Sequence, residues 1–160
     1  NPVAHPKNAR NWPIKGIHKP TIELYFSEFG KLHPDIVRMD FDTLKYLAKG
    51  GRIGKAKSLL GSVLNVKPLL TITDGEFVPV TQVRSRSKGI DKLFDFAKDA
   101  ANVEDMVVIH STTRDEADAL ASRIGSTIKL KQIRIARLGP VLGVHGGPGV
   151  LAIALRRKRP

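Results

Sequence analysis

Arg52 and His145 are the two residues whose type and setting suit recognition of an anion, because each stands in a glycine-rich stretch that lets a ligand approach the backbone. The first stretch reads Gly50, Gly51, Arg52, Ile53, Gly54, Lys55, and the second Gly143, Val144, His145, Gly146, Gly147, Pro148, Gly149. A phosphate loop needs a glycine, four residues and then Gly-Lys-Ser/Thr, but Lys49 and Ala56 occupy the glycine and hydroxyl positions. The dinucleotide fingerprint also fails, since Val150, Leu151 and Ala152 follow the last glycine. What remains is two cradles of backbone, Gly51 beside Arg52 and Gly146 beside His145, with one donor in each.

Arg52 lies between a glycine pair and an apolar helical pattern, where free N–H groups and the helix dipole favour an anion that a guanidinium can fork onto. An arginine that caps neighbouring carbonyls explains the same residue equally well. His145 has no second His, Cys or acid at ligand spacing, so no metal site is expected; a hydrogen bond to a polar ligand group suits it better. Ser111, Thr112 and Thr113 after His110 resemble a turn carrying an activated hydroxyl, yet capping of the following helix accounts for them without catalysis. Asp115, Glu116 and Asp118 fall on a charged helix face and read as solvated.

The elements that must hold these residues alternate between helix and strand. Asp42 is placed to cap a helix over 43–49, and residues 54–64 put Ala56, Leu59, Leu60, Val63 and Leu64 on one helical face. Strands over 67–73 and 76–80 flank Asp74-Gly75, a hairpin turn. A helix over 87–101, a strand over 106–110, a helix over 114–124 and a strand over 131–138 follow. Residues 139–149 read as a glycine-rich connection to a last strand over 150–155. This order predicts an α/β domain, a mixed sheet covered by helices. Residues 1–34 read as an irregular arm and a weak helix, with Trp12 equally suited to anchor the arm or to stand exposed at a broken domain edge; 35–156 form the domain and 157–160 a basic tail.

The 160 residues suffice for one domain, and no apolar run approaches the length of a membrane span, so a soluble, cytoplasmic protein is expected. The absence of cysteine excludes thiol chemistry and disulfides. The net charge of +12 suggests an anionic partner, and a basic nucleic-acid-binding domain is the alternative function. Scattered cations, few aromatic residues and no nucleic-acid motif argue against it. The first residue is Asn1, consistent with a truncated or processed chain.

Two stretches, FDTLKYLAKGGRIGKAKSLLGSVLNVKPLLTITDGEFVPVTQVRSR and GPVLGVHGGPGVLAIAL, closely resemble the carboxyl-terminal domain of the DegV family, in the same order and at a suitable distance. The resemblance implies a non-catalytic carrier without metal or cofactor that binds one long-chain fatty acid, its tail in an apolar tunnel and its carboxylate at an interface with another domain. It implies presentation of the acid to a fatty acid kinase subunit for acyl phosphate formation. Arg52 and His145, with Gly51 and Gly146, then match the head-group end; Leu59, Leu60, Val63, Leu64, Leu93 and Phe94 are candidate tunnel walls, and Arg84 and Arg86 a candidate kinase-docking surface. No part of residues 1–34 resembles the family's first domain. A buried methylene contributes about 0.8 kcal/mol, so some 14 of them give on the order of 11 kcal/mol before binding costs. The tail would thus dominate affinity and the polar pair orientation.

Overall fold

The computed structural model describes residues 36–61, 66–73 and 76–158. The proposed arm, Trp12, Val63, Leu64 and the hairpin turn at 74–75 lie outside the described residues. Six strands form one mixed sheet: β1 (Ile36–Asp40), β2 (Lys67–Thr73), β3 (Glu76–Val83), β4 (Val103–His110), β5 (Ile133–Arg137) and β6 (Leu151–Arg157), in the spatial order β3-β2-β1-β6-β4-β5. All neighbours pair antiparallel except β4 and β5, which run parallel and are joined through a helix as a parallel connection requires. Pro79, opposite Leu70, sits on the edge strand β3, where a missing N–H facing outward breaks no ladder.

β6 is central and buried on both faces, which is why it reads as an unbroken apolar run. Its alternation divides the core. Ala152 and Ala154 join Val37, Phe41, Leu70, Phe77, Val107 and Ile109 on one face, with Leu59 packed against them. Leu151, Ile153 and Leu155 join Leu69, Leu93, Met106 and Val108 on the other, beneath α2 (Arg86–Asp99) and α3 (Arg114–Thr127). The first face is covered by shorter elements: α1 (Lys45–Lys49), a 3₁₀ turn (Gly54–Leu59) and α4 (Pro140–Gly146).

Several expectations change. In the described part of the helix expected over 54–64, Gly54–Leu59 form a six-residue 3₁₀ turn, and Gly54 at φ +55° and Gly61 at φ +92° hold left-handed values that an α-helix does not take. Leu60 is consequently 46% exposed. Asp42 does not cap α1; its carboxylate takes the Lys67 ammonium at 2.5 Å, and Thr43 Oγ1 accepts the Lys45 N–H instead. Within 139–149 there is a helix, α4, begun by a proline at its first turn, where no N–H is needed. β1 has no counterpart in the sequence reading. β6 continues through Arg157, the first residue of the expected basic tail, and the Lys158 N–H reaches the Asn102 carbonyl.

Arg86 opens α2 and does not stand free as a docking cation. Its guanidinium donates to the Asp40 carboxylate at 3.0 Å, to Glu116 at 2.5 Å and to Thr113 Oγ1. Glu116 is therefore paired rather than solvated, whereas Asp118 pairs with Arg114 on the exposed surface of α3. Arg84 is exposed. Asp40 is fully buried, and desolvation raises its pKa to about 6 although the Arg86 charge opposes the rise. A raised carboxyl pKa stabilises the fold fully below the unfolded value near 3.8, and that contribution is lost as pH rises through about 6. His110 and His145, both held low, contribute in the opposite direction. The wild type should thus gain unfolding free energy relative to Asp40→Asn as pH falls from 7 to 4, read by urea titration at each pH. A pH-independent difference would show that Asp40 does not titrate in this window.

Candidate functional site

α1 ends in a hydrogen-bonded reversal. The Arg52 N–H reaches the Leu47 carbonyl at 2.9 Å and the Gly51 N–H the Ala48 carbonyl at 3.1 Å, with Gly51 at φ +69°. This is a Schellman cap, which needs a residue at ease in the left-handed region. The Arg52 side chain then turns back and donates through Nη1 to the Gly50 carbonyl. The capping role weighed for Arg52 is therefore present in the fold.

His145, in the last turn of α4, packs its Nδ1 against the backbone of Gly50, so closely that a Cβ there would overlap the ring. Gly50 is thus the meeting point of the two glycine-rich stretches. Burial lowers the His145 pKa, and the Arg52 cation lowers it further. The imidazole is neutral at pH 7, with one N–H to donate and one lone pair to accept; Nδ1 has no hydrogen-bond partner among the described residues. Arg52 and His145, 93 positions apart by number, are within electrostatic reach of each other.

His145 faces an open cleft of about 1090 Å³ between the end of α1, the end of β4 and the β5–α4 connection. Tyr46 and Lys49 line it from one side, Ser111 and Thr112 from below, and Arg137, Leu138, Pro140 and Val144 from the other. Its size lies just above the roughly 300–1,000 Å³ usual for ligand clefts. Ser111 Oγ accepts the Val150 N–H at 2.9 Å and Thr112 Oγ1 the Gly149 N–H at 3.0 Å, so these hydroxyls pin the chain after α4 to the end of β4. Thr113 supplies no side-chain cap to α3, contrary to the capping expectation. Gly147 and Gly149 have φ near +80° and let the Tyr46 ring and the Asp42 carboxylate pack against the backbone. Gly146 is buried against Val150 and Leu138, so its part is packing, while Gly51 is exposed with open space before it.

The candidate tunnel walls separate. Leu59 belongs with the apolar face under α1 and α4, whereas Leu93 and Phe94 lie across the sheet, Leu93 in the core and Phe94 beneath the Arg123 guanidinium. They cannot line the same cavity as His145. Sequence reasoning missed Tyr46, Lys49 and Arg137; the first two are three residues apart just before the first glycine pair, a shared helical face that signals a common surface. Among the described residues no group of three His, Asp or Glu could hold a metal ion, and no helix is long and apolar enough to cross a membrane.

Residues 35–158 match the family model described as "Uncharacterised protein, DegV family". A DegV domain-containing protein of Streptomyces coelicolor is 42% identical over 117 residues, 71% of this chain and 42% of that relative. The chain thus spans about two fifths of that relative's length. Among solved structures, a fatty acid binding DegV family protein of Streptococcus agalactiae superposes with TM-score 0.69 at 25% identity, covering 86% of this chain and 54% of that one. A Thermus thermophilus DegV family protein, described by its fatty acid binding, gives TM-score 0.70 at 27% identity over 86% and 51% of the two chains.

Proposed function

Because this chain belongs to the DegV family, we propose that it binds a long-chain fatty acid as a non-catalytic carrier and presents it to a kinase subunit for acyl phosphate formation. The observation that carries this reading is the convergence of Arg52 and His145 on Gly50 beside a cleft whose lining includes Leu138, Pro140 and Val144. A fixed guanidinium and a neutral imidazole suit a carboxylate, one supplying charge and the other a directed hydrogen bond. The apolar lining of the cleft, Leu138, Pro140 and Val144, is where an alkyl tail would gain burial energy. Two structural relatives described as fatty acid binding support the ligand class. Because the chain covers only part of its relatives, the complete head-group site includes groups from beyond these residues in this reading.

Native mass spectrometry of the purified protein tests it. A retained adduct of fatty-acid mass is expected. Arg52→Ala should weaken carboxylate recognition by about ten- to hundredfold and His145→Ala by up to about tenfold, from the usual worth of charged and neutral hydrogen bonds. In the full-length protein both changes should slow acceptance by the kinase more than they reduce acyl retention. If the folded protein, full-length or not, takes up no fatty acid under saturating conditions, the reading fails.

A further inference from the structure

Lys49 is a cation of the cleft that the pairing of Arg52 with His145 does not use. Arg52 stands behind Gly50, outside the cleft lining, and one of its N–H groups is already given to the Gly50 carbonyl. Arg137, on the opposite wall, has a partner of its own. Lys49 lines the cleft and is exposed, and among the described residues nothing pairs with its ammonium. By contrast, Lys55 pairs with Glu76 and Lys67 with Asp42. None of the described residues that line the cleft is acidic, so no carboxylate within it neutralises Lys49.

The packing at the end of α1 places Lys49 beside the imidazole. It directly precedes Gly50, against which His145 packs its Nδ1, and consecutive Cα atoms lie about 3.8 Å apart. Ammonium and imidazole therefore start from one point on the cleft wall, and the flexible four-carbon stem lets the ammonium follow a head group held by His145. Tyr46, one turn earlier on α1, lays its ring against Gly147 and lines the same wall. A basic residue in the last turn also complements a helix C-terminus, but α1 has only five residues and a correspondingly small dipole.

We propose that Lys49 selects an ionised head group over a neutral one in this cleft, its ammonium pairing with a carboxylate that His145 orients. The inference rests on the fatty-acid reading above and names the residue that tells the acid from an uncharged lipid with the same tail. An acid and its alcohol bury the same methylenes, so the tail contributes equally to both and the difference between them reports the head group. A single mobile ammonium at an open cleft contributes modestly and is screened by salt, whereas burial of the tail is not.

Competition binding of oleate and oleyl alcohol to the purified protein tests this, each displacing a fluorescent fatty acid below the concentration at which either aggregates. Lys49→Gln should weaken oleate binding about fivefold to tenfold and move oleyl alcohol by less than about twofold. Lys49→Arg, which keeps the charge, should hold oleate within about threefold of wild type. Added salt should narrow the wild-type preference for the acid more than that of Lys49→Gln, because the screened charge is absent from the variant. Equal losses for acid and alcohol would assign Lys49 to the C-terminus of α1 and overturn the proposal, as would an oleate affinity that Lys49→Gln leaves unchanged. Either result leaves the fatty-acid reading standing, whereas a folded wild type that binds neither ligand removes both.

Discussion

Replacing Arg86 by Met should lower the unfolding free energy at pH 7 by roughly 3–5 kcal/mol, the usual cost of leaving a buried charge without its partner. Asp40 has no exposure and so no water to turn to, and among the described residues the cation bonded to it is Arg86, at 3.0 Å. The same replacement releases Glu116, whose carboxyl is held below its ordinary value chiefly by its hydrogen bonds from Arg86. Without the guanidinium the Asp40 pKa rises beyond about 6, because the Arg86 charge is the largest influence opposing desolvation. The Asp40 share of the loss should therefore shrink as pH falls below 6, since the carboxyl is then neutral with or without Arg86. Adding Asp40→Asn to the Met variant should restore a large part of the stability at pH 7, a coupling that a double-mutant cycle measures. A loss under about 1 kcal/mol, or one that no second change at position 40 relieves, would show that the ion pair does not hold this corner together.

Gly147→Ala should destabilise about as strongly, by roughly 2–6 kcal/mol from two separable causes. Gly147 has φ +78° and ψ −177°, a region that is essentially glycine's alone, so a side chain costs about 1–3 kcal/mol in backbone strain. A Cβ there would also overlap the Tyr46 ring, and overpacking costs about 1–3 kcal/mol more. Thermal unfolding separates the two, because Tyr46→Ala in the same protein removes the overlap and leaves the strain. Part of the deficit, and only part, should return. Full recovery would assign the whole effect to the ring, and an Ala variant as stable as wild type would show that the backbone here relaxes freely. Tyr46 and Gly147 both line the cleft, so the shift should also be accompanied by weaker fatty-acid retention if the proposed function is right.

Elements whose signal is local are legible in the chain alone. Helices α2 and α3 carry their apolar residues at helical spacing, and β2 and β3 flank an Asp-Gly turn pair, so each was legible within a few residues. The motifs around Arg52 and His145 likewise stood out, because glycine runs mark close backbone approach wherever it occurs. Tertiary structure decided what depends on distant partners. Ile36–Asp40 becomes a strand between β2 and β6, and its Arg38 and Asp40 can face the α2 side only because one stacks on Phe96 and the other meets Arg86 from 46 positions away. The 54–64 pattern looked helical by spacing, yet a left-handed Gly54 seated against the backbone of Phe77 held it to a 3₁₀ turn. Apolar periodicity identifies a buried side of a helix without saying which face of the sheet will bury it. That is why Leu59 and Leu93 read alike in the chain and lie on opposite sides of β6 in the fold, and why only the fold brings His145 onto Gly50.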